Sequence, residues 1–208
     1  MQLCRKDTLK DWLSANTLNR DRHSVLDIFD QIVSAIEYVH DSGLMHRDLK
    51  PSNIFFSLDG VVKMGDFGLV TALTDEQNEV LLAGDPFKKH TAQVGTQLYM
   101  SPEQMSGKKY SAKVDIFSLG VILFELLYPF ATQMERVNTL VNVKRQDFPE
   151  RFNREMQKEA TFVSWLLSPK PEDRPSAKAI LDSELLKEFE SRRMPRRFRT
   201  RTVSQNSS

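Results

Sequence analysis

The spacing of apolar residues predicts a mainly helical protein. Between residues 25 and 39 apolar positions recur every three or four residues, as on the buried face of a helix, and Gly43 follows as a stop. Residues 116–127 are apolar almost all round, interrupted only by Ser118 and Glu125, which is typical of a helix in the centre of a domain. Weaker helical patterns cover residues 133–143, 159–167 and 176–186.

The rest of the pattern predicts one hairpin and one short capped helix. The apolar runs at 54–56 and 61–64 flank the turn-forming residues 58–60, which indicates a β-hairpin. A short helix is also predicted directly after residues 7 and 8. Either Asp7 or Thr8 can cap this helix, because both side chains can accept hydrogen bonds from the first helical amides. The predicted fold class is therefore mainly α with a small β-hairpin.

Two segments carry no periodic pattern. Residues 71–96 are polar, and a loop of this length inside a compact domain is usually functional or disordered. Residues 191–208 contain six arginines and no acidic residue, a composition that predicts a disordered basic tail.

Composition narrows the class of protein. The chain has 208 residues, of which 40% are hydrophobic and 27% charged, as expected for one globular domain. A net charge of +1 provides no general attraction to nucleic acid or to a membrane surface, and no apolar run is long enough to span a bilayer. Cys4 is the single cysteine, which excludes an intrachain disulfide.

Three short motifs carry the candidate chemistry. They are HRDLKPSN at 46–53, DFG at 66–68 and SPE at 101–103. Each alone is a weak signal, since a lone Asp48 is usually a solvated loop residue and a lone Asn53 a turn former. In this order and at these gaps they correspond to the catalytic loop, the metal-binding turn and the end of the activation segment of protein kinases.

These residue types suit phosphoryl transfer, which needs an oriented hydroxyl, magnesium on the phosphates and positive charge where negative charge builds. Asp48 can orient the substrate hydroxyl and accept its proton. Lys50 can reach the transferring phosphate, because residues two apart in an extended loop face the same side. Asn53 and Asp66 supply the hard oxygen ligands that Mg²⁺ prefers. The predicted cofactors are ATP and Mg²⁺.

The chain resembles the C-terminal lobe of eukaryotic protein kinases over nearly its whole ordered length. Lys50 is similar to the serine/threonine branch, and residues 94–103 resemble that branch's substrate-side loop, with Thr96 as its threonine. The strings at 65–71 and 99–104 are similar to kinases of the α subunit of translation initiation factor two. Residues 126–136 look most like the endoplasmic-reticulum-resident member of that family, with the haem-regulated member second.

The resemblance implies a domain plan within the α+β protein kinase-like fold. It comprises a hinge remnant at 1–4, a kinase C-lobe at 5–190 and the basic tail at 191–208. The catalytic loop would be 46–53 and the activation segment 66–103. It also implies phosphorylation of the initiation factor's α subunit, hence translational control under stress and in the unfolded protein response. The full-length relative would act as a dimer, in the cytosol but tethered to the endoplasmic reticulum.

Further roles follow from the resemblance residue by residue. Gln2, Leu3 and Cys4 match the hinge that holds adenine, and Phe55 matches the floor of that pocket. For Cys4 the alternative is a small buried apolar residue, which is compatible with the hinge role. His46 and Phe67 match residues with structural or packing roles.

Regulation and docking are also implied. Arg47 precedes the catalytic aspartate, as in kinases switched by phosphorylation of the activation segment, and Thr91 matches the activating site. The basic residues 88–90 beside Thr91 could help to hold the phosphate, and a solvated cluster of loop charges is an equally good interpretation of them. Asp115 resembles the aspartate that anchors the catalytic loop, and Glu103 and Arg174 resemble a buried structural ion pair.

The helix that begins near Thr132 is implied to dock the substrate protein through Met134, Glu135 and Val137. From physics alone, Met134, Val137 and Leu140 at helical spacing are more often core than surface.

Two functions remain open at the level of sequence. No Gly-rich phosphate loop, strand lysine or glutamate partner is recognisable, so we expect a kinase without its N-terminal lobe that binds ATP poorly by itself. The alternative is a non-catalytic module that docks the substrate or a partner kinase through the helix at 133–143. Binding that ignores Asp48 but needs this helix would favour the module.

Overall fold

A computed structural model describes residues 4–18, 20–65, 71–72, 97–107 and 109–192, with side chains from 7–18, 20–65, 97–107 and 109–189. The helices are α1 (Leu9–Ala15), α2 (Arg22–Asp41), α3 (Pro102–Met105), α4 (Lys113–Leu127), α5 (Gln133–Val143), α6 (Glu150–Glu155), α7 (Gln157–Leu166), α8 (Ala177–Leu181) and α9 (Glu184–Arg192). The strands are β1 (Cys4–Thr8), β2 (Leu44–Met45), β3 (Ile54–Ser57), β4 (Val62–Met64) and β5 (Thr71–Ala72), and 3₁₀ turns cover Pro51–Asn53 and Pro171–Asp173.

Helix α4 forms the centre of the fold. Every residue of α4 after Lys113 is buried, which confirms the prediction from its uninterrupted apolar run. It packs against α2 on one side and α7 on another. Gly120 permits the close contact with α7, because a Cβ atom at this position would lie 2.9 Å from Cβ of Leu166 and 2.8 Å from Cδ2 of Leu167.

A small antiparallel sheet lies beside the helices, with strand order β1-β3-β4. The predicted hairpin is confirmed, since β3 pairs with β4 and Ile54 lies opposite Met64. Thr8 caps α1 as the sequence allowed, and a reciprocal pair of bonds with Asp11 completes a capping box. Strands β2 and β5 form a second, two-stranded pair in which Met45 lies opposite Thr71. The catalytic-loop motif thus begins directly after one strand and ends at another.

The single helix predicted over 176–186 is wrong, because two helices, α8 and α9, occupy this region. Ser176 caps α8, and Ser183 accepts a bond from the amide of Leu186 through its hydroxyl at 3.5 Å and one from Lys187 through its carbonyl at 3.0 Å. The apolar pattern conceals this break since Ile180 and Leu186 are both fully buried. The helix predicted at 159–167 is real, but α7 begins two residues earlier.

Two further differences concern short elements and the tail. The hydrophobic pattern did not predict α3 or α6, which have four and six residues and are too short for a periodic signal. Helix α9 continues to Arg192 and so includes the first two residues of the predicted tail, and residues 193–208 lie outside the described chain. No helix within the described ranges combines the length and apolar character that crossing a bilayer requires.

Replacing Gly120 with alanine should destabilise the fold, although alanine is normally the better helix former. The added methyl meets Leu166 and Leu167 at under 3.0 Å, and overpacking of this kind costs about 1–3 kcal/mol. Urea unfolding followed by circular dichroism measures the change. Ser34→Ala at an exposed position of α2 is the control and should be neutral. A Gly120→Ala protein as stable as the parent would contradict the close packing of α4 on α7.

Candidate active site

The predicted catalytic residue Asp48 lies in the loop between β2 and the 3₁₀ turn Pro51–Asn53. One oxygen of its carboxylate, Oδ2, accepts hydrogen bonds from Nζ of Lys50 at 2.6 Å and from Nδ2 of Asn53 at 3.0 Å. Asn53 Nδ2 also donates to the carbonyl of Asp48 at 2.9 Å. The three predicted side chains therefore converge, and Lys50 faces the same side as Asp48, as their spacing indicated.

Asn53 has the geometry of a candidate magnesium ligand. Both bonds to Asp48 use the amide nitrogen, which leaves the amide oxygen to bind a cation. A hard neutral oxygen fits the Mg²⁺ of a nucleotide, which keeps few protein ligands and relies on the phosphates. Within the described residues, His, Cys, Asp and Glu form no group of three or more suited to a metal. The second predicted ligand, Asp66, lies outside those residues.

Asp115 holds the backbone of the catalytic loop. Its carboxylate, which is 1% exposed, accepts bonds of 2.9 Å from the backbone amides of both His46 and Arg47. His40 Nε2 lies 2.9 Å from the same carboxylate. Asp115 is in the first turn of α4, where the positive end of the helix dipole also favours a negative charge. The predicted anchoring role therefore has a direct geometric basis.

Arg47 adopts an unusual backbone conformation that these bonds stabilise. Its φ angle is +70°, a left-handed value that costs a residue with a Cβ atom roughly 1–2 kcal/mol. Gln104 Nε2 donates to the carbonyl of Arg47 at 3.0 Å, so both backbone polar groups of this residue have partners. The guanidinium lies over the ring of Tyr110, 5.5 Å from its centroid. The predicted phosphate partner, Thr91, is not among the described residues.

Glu103 and Arg174 form a buried bidentate ion pair, as predicted. The guanidinium donates from Nη1 at 2.6 Å and from Nη2 at 3.0 Å to the two carboxylate oxygens. Arg174 is completely buried and also donates to the carbonyls of Ser168 and Lys113. Burial is the largest single influence and would raise the pKa of Glu103, but the hydrogen bonds and the charge of Arg174, a backbone hydrogen bond and the Ser101 hydroxyl together hold the pKa below its ordinary value.

The sequence patterns did not predict a second buried network, which connects Tyr99, Glu125 and Arg136. The Tyr99 hydroxyl and Arg136 Nε both donate to the carboxylate of Glu125, and Arg136 Nη2 donates to the Tyr99 oxygen at 2.6 Å. Burial, followed by the nearby Glu125 charge, raises the pKa of Tyr99 well above its usual range and keeps the hydroxyl protonated. Glu125 was the one feature of the sequence that could have indicated this network, because a carboxylate inside an apolar helix requires a partner.

The predicted docking residues of helix α5 differ in their exposure to solvent. Met134 is 76% exposed, whereas Val137 is partly buried against the core and Leu140 is fully buried. The core interpretation is therefore right for Leu140 and wrong for Met134. The Glu135 side chain accepts a bond from the amide of Ala131 at 2.8 Å at the start of the helix.

The predicted adenine-pocket residues are only partly described. Phe55 is half-buried in β3, and its ring lies so close to Gly65 that a Cβ atom there would be 2.3 Å from Cε2. The backbone of Cys4 begins β1, but its side chain is outside the described part. The other predicted site residues that lie outside it are Gln2, Leu3, Phe67 and Thr96.

Asp115→Asn should loosen the catalytic loop. An amide side chain can accept only through its one oxygen, so at least one of the amides of His46 and Arg47 loses its buried partner. We expect a loss of about 1–3 kcal/mol in unfolding free energy and faster hydrogen exchange at both amides. Asp182→Asn, at an exposed ion pair, is the control. Unchanged exchange at the two amides would show that Asp115 does not hold the loop.

The Glu103–Arg174 pair should make the free energy of unfolding depend on pH in the acid range. A folded pKa below the unfolded value adds stability at pH above the ordinary value of 4.5, and this stability is lost as pH falls through the folded pKa. Urea unfolding from pH 7 to pH 3 should therefore show a fall that is smaller in Glu103→Gln. Glu155→Gln, at an exposed pair, should retain the parent profile more closely. Identical slopes in parent and Glu103→Gln would contradict this assignment.

Comparison with known proteins places these features in a family. The protein kinase domain model matches residues 1–186. Eukaryotic translation initiation factor 2-alpha kinase 3 (PERK) of Bos taurus is 55% identical over 194 residues, which cover 91% of this chain and 17% of that protein. The eIF-2-alpha kinase GCN2 of Homo sapiens is 42% identical over 89% of this chain and 12% of its own length.

A third relative is the interferon-induced, double-stranded RNA-activated protein kinase of Mus musculus, 42% identical over 87% of this chain and 33% of its own length. The chain spans at most a third of each of these three relatives. The resemblance to kinases of the initiation factor's α subunit, and to the endoplasmic-reticulum member among them, is confirmed. The chain belongs to the protein kinase family.

Proposed function

We propose that this chain is the catalytic-loop part of a serine/threonine protein kinase that phosphorylates a protein hydroxyl with ATP and Mg²⁺. The observation that carries the proposal is the convergence of Lys50 and Asn53 on one carboxylate oxygen of Asp48, at 2.6 and 3.0 Å. Such a group combines a base, a positive charge and a metal ligand within one loop.

Asp48 acts as the base in this proposal. Both bonds use Oδ2. In the proposed reaction Oδ1 therefore accepts the proton of the substrate hydroxyl as the hydroxyl oxygen attacks the γ-phosphorus. Lys50 holds the carboxylate in place and brings positive charge to the transferring group. Asn53 contributes its amide oxygen to the metal. ATP and Mg²⁺, when bound, supply the phosphoryl group and neutralise its charge.

The proposed substrate is the α subunit of translation initiation factor two. The support is the set of relatives whose names specify kinases of that subunit, at up to 55% identity. Met134 supports docking on α5, because an exposed methionine at the start of a helix provides an apolar contact that the core does not use. We extend the proposal, on the same resemblance, to a kinase that dimerises and works in the cytosol from an endoplasmic-reticulum tether.

The test of catalysis is Asp48→Asn. Loss of the base should lower phosphoryl transfer to the purified initiation-factor subunit by roughly 10²–10⁴-fold. The measurement is transfer of radiolabelled γ-phosphate, with Asp59→Asn in the exposed hairpin turn as the matched control. Equal turnover by the parent and Asp48→Asn would refute the role of Asp48. An inactive parent chain would count against catalysis by the chain alone.

A binding module without catalysis is the second candidate, and the 76% exposure of Met134 is the observation that favours it. A pull-down of the initiation-factor subunit separates the two functions. Retention by Asp48→Asn together with loss in Met134→Glu would support docking through α5. Leu58→Glu, which changes another exposed apolar residue on the hairpin, is the control. Binding unaffected by Met134→Glu would exclude this use of α5.

A further inference from the structure

A small cleft lies next to the catalytic loop and has no role in the chemistry described above. It has a volume of about 200 Å³ and is lined by α1, by the start of the 3₁₀ turn and by the N-terminal end of α5. Pro51, one of its lining residues, directly follows Lys50 in the chain. The volume is below the roughly 300–1,000 Å³ of pockets that hold small ligands, so the cleft suits a side chain.

The charges around the cleft are mostly positive. Three cationic side chains, Lys10, Arg20 and Arg136, line it together with one carboxylate, that of Glu125. That carboxylate is nearly completely buried and accepts bonds from the Tyr99 hydroxyl and Arg136 Nε. Because Arg136 already balances its charge and its carboxylate is almost out of reach of solvent, Glu125 offers little attraction to an incoming cation.

Arg20 fixes the shape of the cleft. Its guanidinium donates to the backbone carbonyls of Asn16, Leu13 and Leu126, at 2.7 to 3.2 Å. Because these bonds tie α1 to the end of α4, Arg20 contributes charge and position but has few donors left for a ligand. Burial lowers the pKa of Arg20, but an arginine side chain remains charged at neutral pH.

Lys10 and α5 supply the groups available to a ligand. Lys10 is exposed on α1, and the carboxylate of the neighbouring Asp11 already accepts bonds from the amide and the hydroxyl of Thr8. Thr132 and Gln133, which also line the cleft, are the N-cap and first residue of the 11-residue α5. The positive end of this helix therefore lies beside the same space as Lys10, with the Glu135 carboxylate already on the amide of Ala131 there, so Lys10 is the main group available to an anion.

We propose that this cleft is a specificity subsite for a carboxylate side chain, Asp or Glu, of the protein substrate, close in sequence to the phosphorylated serine or threonine. The inference rests on the proposed function, because only a substrate lying across the catalytic loop brings its neighbouring residues to Pro51. Lys10 forms a charge-assisted hydrogen bond with the carboxylate, and Arg136, by neutralising Glu125, prevents a basic side chain from taking its place.

The test measures binding alone, so its outcome is independent of turnover. The probe is a short, neutral, fluorescein-labelled peptide with one central serine, in which a single Glu occupies each other position in turn. Fluorescence anisotropy at low salt should identify one position at which the Glu peptide binds about fivefold tighter than the peptide with Gln at that position. This is the difference expected for a partly exposed charge-assisted hydrogen bond. The Lys10→Glu chain should lose this preference.

Lys178→Glu provides the matched control, since it makes the same charge change at an exposed position of α8 outside the cleft. It should retain the preference for Glu. Glu peptides that bind no better than Gln peptides in any register, or a preference that survives Lys10→Glu, would overturn the subsite. So would the absence of detectable peptide binding. A retained preference in a chain that transfers no phosphate would refute the proposed catalysis but not the subsite.

Discussion

The candidate site depends on the buried carboxylate of Asp115. Two consecutive backbone amides, those of His46 and Arg47, donate to its two oxygens, and this pairing offsets the left-handed backbone of Arg47. Without an acceptor at this depth the amides would remain buried and unsatisfied, at a cost of about 1–3 kcal/mol each. The candidate base Asp48 is therefore positioned by a residue that has no part in the proposed chemistry.

Helix α4 carries further polar side chains that hold other parts of the fold in place. Asp115, Ser118 and Glu125 are the polar side chains on an otherwise apolar stretch, and their spacing of three and seven residues places them on one side of the helix. Asp115 holds the catalytic loop, Ser118 donates to the carbonyl of Tyr99 at 2.8 Å, and Glu125 binds the Tyr99 hydroxyl. One helix face thus fixes the base and the segment after residue 97 in relation to each other.

The two buried ion pairs fix the positions of the helices α3 and α5. Glu103–Arg174 joins α3 to the segment before α8, and Glu125–Arg136 joins α4 to α5. Buried pairs add little net stability, but breaking one leaves an uncompensated charge that costs about 3–5 kcal/mol. These pairs therefore specify where α3 and α5 lie more than they stabilise the fold. For Arg136 the same bond also sets the charge of the cleft beside the catalytic loop.

Much of the fold could be predicted from local patterns in the sequence. The capping residue Thr8, the amphipathic α2, the hairpin and the buried α4 are all encoded over a few turns of chain, where hydrophobic period and turn chemistry act directly. The break at Ser183 was missed because the apolar residues on either side both face the core. Likewise α3 and α6 were missed, since one or two helical turns give no period.

The sequence by itself determined the family, the identity of the candidate base and metal ligands, and the helices that carry the core, because motifs and periodicity are local. Only the tertiary structure decided which buried charges pair, since Glu103 and Arg174 are 71 residues apart and Arg136 and Tyr99 are 37 apart. It also decided that Met134 faces solvent while Leu140 is buried, because one helical pattern fits either orientation until the neighbouring helices are in place.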